Sequence, residues 1–272
     1  ISEHGAAPLC WSVAYLGPLA NCARDAALAY EVMSGADPRD PNSVGHPAAD
    51  IDDRAPRSLA GIRLGVFWPW FRDAQPEVVR ICETLLEQMC ARGAMLVDVE
   101  IPELELTRVA HLVAITSEML TGMLPQIRDR LGDFGIETQL NIAIARGSTA
   151  VDYVHAQRVR TRAMAHFARA LGHCDAIITP ASGNTAPRIH PRGGAVSDLT
   201  RSMETMRFAF SSNFTWHPAV SFPAGYDSAG LPVGMQAIGR GWSERLLLRL
   251  AAFADTVVER RKPQRYYAPI EV

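Results

Sequence analysis

Apolar and polar positions change rhythm several times along this chain, and each change marks an element. From Gly61 onward the run Ile62–Phe67 is apolar over the length of a strand. Pro76–Arg92 then places Val78, Val79, Leu85, Leu86 and Met89 on one helical side, with Gly93 as a stop. Met95–Val99 is a second strand-length run. A strand, a crossover of helical length and another strand make a βαβ unit, which favours parallel pairing. The spacing next predicts helices over Leu104–Leu131, Ile136–Arg146 and Val151–Leu171, the last capped by Ser148 or Thr149. Ala176–Thr179 reads as a buried strand ending at Pro180, and Leu199–Phe210 as a helix. Ala219–Phe222 and Val233–Ile238 read as strands separated by a Gly-Pro turn region, and Glu244–Val258 as a closing helix capped by Ser243.

Ahead of this body, Ile1–Pro18 reads as loop and short strand. A helix follows, with Asn21 as its cap, Ala26, Ala27, Leu28 and Val32 as its apolar stripe and Gly35 at its end. The segment Ala36–Ser58 is rich in Asp and Pro, which hold it extended, and it predicts an ordered surface linker. Strands mixed with helices throughout predict an α/β fold.

Composition narrows the function classes. The chain has 272 residues, 48% hydrophobic and 21% charged, the balance of a folded protein. Its net charge of −2 gives no field for nucleic acid or an anionic membrane. With no apolar run of membrane-spanning length and no charged-then-apolar leader, the expected location is the cytoplasm. A first residue of Ile rather than Met points to a processed or partial product, or to a reading frame with an unusual start. The five cysteines form no C-x-x-C pair, which predicts reduced, mostly buried thiols. The eight histidines show no metal-ligand spacing, so no metal and no cofactor are expected.

Three segments carry a resemblance. The first is His4-Gly5-Ala6-Ala7-Pro8-Leu9, then Gly17-Pro18, Asp25-Ala26-Ala27-Leu28, Gly35-Ala36-Asp37 and Asp40-Pro41-Asn42-Ser43. The second is Cys174-Asp175-Ala176-Ile177-Ile178-Thr179-Pro180 with Thr185-Ala186-Pro187. The third runs from Asn213-Phe214-Thr215-Trp216-His217-Pro218 through Ala219-Val220-Ser221-Phe222-Pro223-Ala224-Gly225 to Gly230-Leu231-Pro232-Val233-Gly234-Met235-Gln236 and Gly239-Arg240. In this order they resemble the amidase-signature family, in the part that lies after its serine-rich core. The resemblance implies that residues 1–272 form a single partial domain (36–58 linker, 59–272 body). Its fold would be a mixed, largely parallel sheet flanked by helices on both faces.

The resemblance also implies chemistry that this stretch does not carry. Family members cleave amides with a Ser nucleophile, a second Ser in a cis peptide and a Lys base, all upstream of the first segment. A hydroxyl attacks only when a neighbouring base takes its proton and nearby N–H groups hold the oxyanion. Here the sole lysine, Lys262, sits in a basic tail, and the sole double glycine, Gly193-Gly194, has no serine pair beside it. No catalytic residue is therefore expected within the chain, which is expected to be inactive alone. Three positions depart from the family pattern: Ala14 stands where Asp is frequent, Asn21 where a basic residue stands, and Trp216 where glycine is commonest.

Phe210, Asn213 and Trp216, just ahead of a strand, are the residues expected to line one flank of a substrate pocket, because pockets in α/β sheets open at strand ends. Phe210 and Trp216 are equally readable as core aromatics, and His217 as a structural histidine. The expected function is the C-terminal portion of an amidase acting on a small-molecule amide. A non-catalytic remnant or partner subunit is the alternative. Association with the missing half or a homodimer would cover apolar surface left open by half a fold.

Overall fold

The structure is a computed structural model that describes residues 1–7, 9–45, 49, 51, 58–187 and 206–261. Among the described residues five strands form one sheet: β1 (Arg63–Val66), β2 (Met95–Asp98), β3 (Ala176–Pro180), β4 (Ala219–Tyr226) and β5 (Pro232–Gly239), in the order β2-β1-β3-β5-β4. The helices are α1 (Ala23–Met33), α2 (Trp68–Phe71), α3 (Pro76–Ala91), α4 (Leu104–Gly122), α5 (Leu124–Arg130), α6 (Ile136–Gly147), α7 (Ala150–His173), α8 (Phe210–Thr215) and α9 (Glu244–Val257).

The expected βαβ unit is present: β1 pairs with β2 in parallel across α3, and β1 also pairs with β3 in parallel. β5 runs antiparallel to both β3 and β4. The sheet is thus mixed and largely parallel as expected, with β1, β2, β3 and β4 running one way and β5 alone against them. The cause is local. The turn from Asp227 to Leu231 is too short for a crossover, and Asp227 closes it by accepting from the N–H groups of Ala229 (2.9 Å) and Leu231 (2.8 Å).

Alternation along the strands divides the core between the two faces. Leu64, Val66, Ala176, Ile178, Met235 and Ala237 face α3 and α9, where Val78, Leu85, Leu250 and Phe253 meet them. Ile177 and Ile238 point to the other face, against Phe167 and Leu171 of α7 and against Trp70 and Phe208. A further cluster joins Cys10 and Val13 of the N-terminal turn to Ala110 and Ala114 of α4, Ala156 and Val159 of α7 and Phe214 of α8.

Several local expectations are revised. α1 is capped by Cys22, whose sulfur accepts from the Asp25 N–H, and not by Asn21. Leu28 and Val32 of its supposed stripe are exposed, while Ala23 and Ala27 are buried. The run Leu104–Leu131 divides at Met123, because Pro125 has no N–H and its ring would strike the carbonyl one turn back. Thr149 caps α7 through a reciprocal bond with Asp152. Ser243 stands at the cap position of α9, but its hydroxyl donates back to the Arg240 carbonyl. Residues 199–205 of the expected Leu199–Phe210 helix lie outside the described residues, and the helix seen is α8, which begins where that one was to end. Part of the linker, 46–48, 50 and 52–57, also lies outside them. All five cysteines are free, with Cys10, Cys82 and Cys174 buried. Burial pushes their thiols up to about 11, 12 and 11 respectively.

β1 approaches α7 closely because Gly65 faces Cys174. A Cβ at Gly65 would lie 2.5 Å from the Cys174 sulfur. Gly65→Ala is therefore expected to destabilise the fold by about 1–3 kcal/mol, as overpacking does. Cys174→Ala in the same chain should restore part of the loss, as read from urea midpoints; no recovery would place the strain elsewhere.

Candidate functional site

Polar chemistry concentrates where the N-terminal turn meets α4, α7 and α8. His111 and Glu118 lie two turns apart on one face of α4, and Tyr153 and Arg160 two turns apart on one face of α7. Glu118 is 1% exposed and Arg160 4% exposed. Buried charges need partners, and the partner they share is Ser12. Arg160 Nη1 donates to Ser12 Oγ at 2.8 Å, and that hydroxyl donates to Glu118 Oε1. The Ser12 N–H also donates to Glu118 Oε2 at 2.9 Å, and Tyr153 Oη to Glu118 Oε1 at 3.0 Å. Ser12 thereby bridges an anion on α4 and a cation on α7.

Arg160 reaches α8 as well. Its Nε donates to the Phe214 carbonyl at 2.7 Å, and its guanidinium centre lies 5.1 Å from the Phe214 ring and 4.4 Å from the Trp216 ring. Burial lowers the pKa of Arg160, opposed by the phenol oxygens of Tyr15 and Tyr153 and by the Glu118 carboxylate. Burial also raises the Tyr153 phenol, helped by its bond to Glu118, so that it remains a donor. His111 sits between Phe210 and Phe214 at ring distances of 6.2 and 5.8 Å. Burial first, then the neighbouring Arg160 charge, lowers its pKa to about 4.

The three residues expected to line a pocket separate here. Phe210 is buried against Trp70 and His111 and belongs to the aromatic packing beneath α8. Asn213 uses its amide to donate to the Val13 carbonyl at 2.8 Å. Trp216 is 56% exposed, and its indole N–H donates to the Ser12 carbonyl at 3.0 Å. Asn213 and Trp216 therefore converge on the turn at Ser12-Val13, while Phe210 stands apart from it. Trp216 has φ 60° and ψ 29°, a left-handed conformation that glycine adopts freely and a bulky residue does not. Glycine would hold that conformation without strain, and here tryptophan holds it. His217 behaves as a structural histidine, with Nδ1 2.8 Å from Thr215 Oγ1.

The second and third sequence segments are stitched together beneath the site. Gln236 of β5 donates to Thr179 Oγ1 at 2.9 Å and to the Phe208 carbonyl at 2.8 Å. A shallow cavity of about 240 Å³ lies at the ends of β3 and β5, lined by Ser182, Asn184, Thr185 and Gly234 among others, with no titratable side chain. Among the described residues there is no group of His, Cys, Asp or Glu able to hold a metal ion. Lys262 and the Gly193-Gly194 region lie outside the described residues. Sequence reasoning missed Ser12, Glu118 and Arg160. The signal was present for the last two, since each falls at helical spacing inside an apolar stripe: His111-Ala114-Glu118 on α4 and Ala156-Arg160-Ala163-Phe167 on α7.

Removing one member of a buried charge pair strands the other. Arg160→Met is expected to cost about 3–5 kcal/mol of stability. The double variant with Glu118→Leu should cost less than the sum of the two single changes; additive losses in urea denaturation would show that the charges are uncoupled. His111 has a folded-state pKa of about 4 against an ordinary 6.5, so the unfolded chain binds its proton more readily. Its contribution is fully present above pH 6.5 and is lost as the pH falls towards 4, by roughly 3 kcal/mol in all. Unfolding free energies at pH 7 and 4.5 should therefore differ more in the parent chain than in a His111→Phe variant.

The Amidase family model matches residues 1–248. A fatty acid amide hydrolase of Medicago truncatula is 38% identical over 268 residues, which are 94% of this chain and 44% of that protein. A glutamyl-tRNA(Gln) amidotransferase subunit of Bradyrhizobium sp. is 28% identical, over 98% of this chain and 59% of the relative. Among solved structures, one from a vestigial protein complex described as revealing the origins of an s-triazine catabolic enzyme superposes with a TM-score of 0.82. It is 26% identical, over 94% of this chain and 56% of its own. The glutamyl-tRNA(Gln) amidotransferase subunit from Thermotoga maritima gives a TM-score of 0.75 at 26% identity, over 92% of this chain and 54% of its own. The chain spans about half the length of the curated relatives it matches. With a family model covering nine-tenths of its residues and a fold shared with those structures, the chain belongs to the Amidase family.

Proposed function

We propose that this chain is the C-terminal portion of an amidase, one partial domain of residues 1–272. The reaction would be hydrolysis of a small-molecule amide to a carboxylate and ammonia or an amine. The observation that carries the reading is the family match over residues 1–248, together with relatives twice the length of this chain. By the family resemblance, the nucleophilic Ser, its partner Ser and the Lys base belong upstream of His4-Gly5, so the chain is not catalytic by itself. Its contribution is one flank of the substrate pocket, from the segment that holds Phe210, Asn213 and Trp216. Trp216 in place of glycine favours a bulky acyl or aryl amide over a short polar one, in keeping with the fatty acid amide hydrolase name of its Medicago relative.

Among the described residues no helix is long and apolar enough to cross a membrane, and the proposed location is the cytoplasm. No nucleic acid partner is proposed. Exposed Leu9, Leu19 and Leu28 on the N-terminal stretch support association with the remaining half of the domain, or with a second copy. The second reading, a non-catalytic remnant or partner subunit, draws on the relatives whose names give a subunit or part of a vestigial complex.

A serine-directed fluorophosphonate and an anilide substrate separate these readings. The 272-residue chain alone should neither label nor turn over substrate. The same chain joined to an upstream amidase half should do both. Turnover by the isolated chain would remove the proposal, and an unlabelled joined protein would favour the remnant.

A further inference from the structure

Two of the residues that the proposed function sets on the pocket flank hang on a single turn. The Trp216 indole N–H donates to the Ser12 carbonyl at 3.0 Å, and the Asn213 amide donates to the next carbonyl, that of Val13, at 2.8 Å. Trp216 follows the last residue of α8 in the left-handed region, and more than half of its side chain is in solvent. An exposed indole samples several rotamers unless partners select one. Its partners here are the Ser12 carbonyl and the Arg160 guanidinium, whose centre lies 4.4 Å from the ring.

Both partners lead back to Glu118. Its carboxylate accepts from Ser12 twice, from the N–H at 2.9 Å and from the hydroxyl, while Tyr153 donates to it at 3.0 Å. With those two groups engaged, Ser12 keeps its carbonyl for Arg160 Nη2, for Tyr15 Oη at 3.0 Å and for Trp216. Arg160 Nη1 also donates to the Ser12 hydroxyl at 2.8 Å, so the guanidinium beside the indole is itself placed by Ser12. Bonds in such a chain polarise one another: the anion draws on the Ser12 protons and the cation on its carbonyl. Among the described residues no hydrogen bond joins Glu118 to Trp216 directly. Pairing two buried charges requires donors and acceptors between them, but it does not require an exposed indole in a backbone conformation disfavoured for a bulky residue.

We propose that Glu118 is a positioning residue for the pocket flank: acting through Ser12 and Arg160, it sets where the Trp216 indole stands. That this flank meets a substrate rests on the amidase reading; the relay from Glu118 to the indole does not.

The relay is read first in the chain itself, labelled with ¹⁵N at its tryptophan indoles, with the Trp216 signal identified by its loss in Trp216→Gly. In Glu118→Gln and in Ser12→Ala that signal should move upfield, and its N–H should exchange with water about fivefold faster, the loss expected for one hydrogen bond. Ser12→Thr, which returns the hydroxyl, should restore the parent values. Leu250→Ala weakens the core on the α3 and α9 face of the sheet and removes none of these bonds, so it should leave the indole in place. If Glu118→Gln does not fold, the two Ser12 variants decide. The second reading is kinetic, in the chain joined to an upstream amidase half and supplied with an anilide. Ser12→Ala should raise KM on the order of fivefold and change kcat less, as loss of a contact made in ground and transition states alike does. Four results overturn the proposal: an indole unmoved by Ser12→Ala, a shift that Ser12→Thr does not reverse, an equal shift in Leu250→Ala, or a loss confined to kcat. A joined protein without turnover would remove the amidase reading, and the indole response would then decide the relay alone.

Discussion

Two opposite charges buried on neighbouring helices, Glu118 on α4 and Arg160 on α7, meet across the hydroxyl of Ser12, and the placement of the N-terminal turn follows from that bridge. Neither charge is tolerable in an apolar environment without the other. Together they require a small hydroxyl residue whose backbone is also free to bond. Cys10 and Val13 flank that residue and fill the cluster between α4, α7 and α8. Apolar burial brings the turn to the helices, and the ionic bridge sets its register. Asn213 and Trp216 then bind the two carbonyls that the turn leaves facing α8.

The sheet supplies the rigid ground for this arrangement. Covered on both faces, β3 and β5 carry the second and third sequence segments, and Gln236 links them to Phe208 just ahead of α8. The helix that presents Asn213 and Trp216 is short and would be marginal alone. It is held by Phe210 and Phe214 in the aromatic packing and by the Arg160 bond to its last-turn carbonyl. Position at the site is thus inherited from the core rather than from the helix.

Much of the fold was legible because it depends on period and punctuation. The βαβ unit from Ile62 to Val99, the capped start of α7 at Thr149 and the strands at Ala176 and Val233 follow from spacing that a chain must obey locally. The boundaries that slipped did so where a neighbour overrode propensity. Cys22 displaced Asn21 as a cap, and Leu28 and Val32 stayed exposed because α1 meets α9 through its alanines. Of the pocket residues read from the sequence, Trp216 alone has a mainly solvent-facing side chain, Asn213 is spent on the turn, and Phe210 is core. Sequence spacing ranks residues near a strand end, but it does not say which way each side chain turns.

The sequence by itself determined the family resemblance, the α/β class and the lack of a serine pair flanking its one double glycine, because these depend on residue identity and order. Tertiary structure alone decided that residues 12, 15, 118, 160 and 216 share one site. They come from four segments as much as two hundred residues apart, and the forces that join them, desolvation of two charges and donors converging on one carbonyl, exist only once the chain has closed on itself.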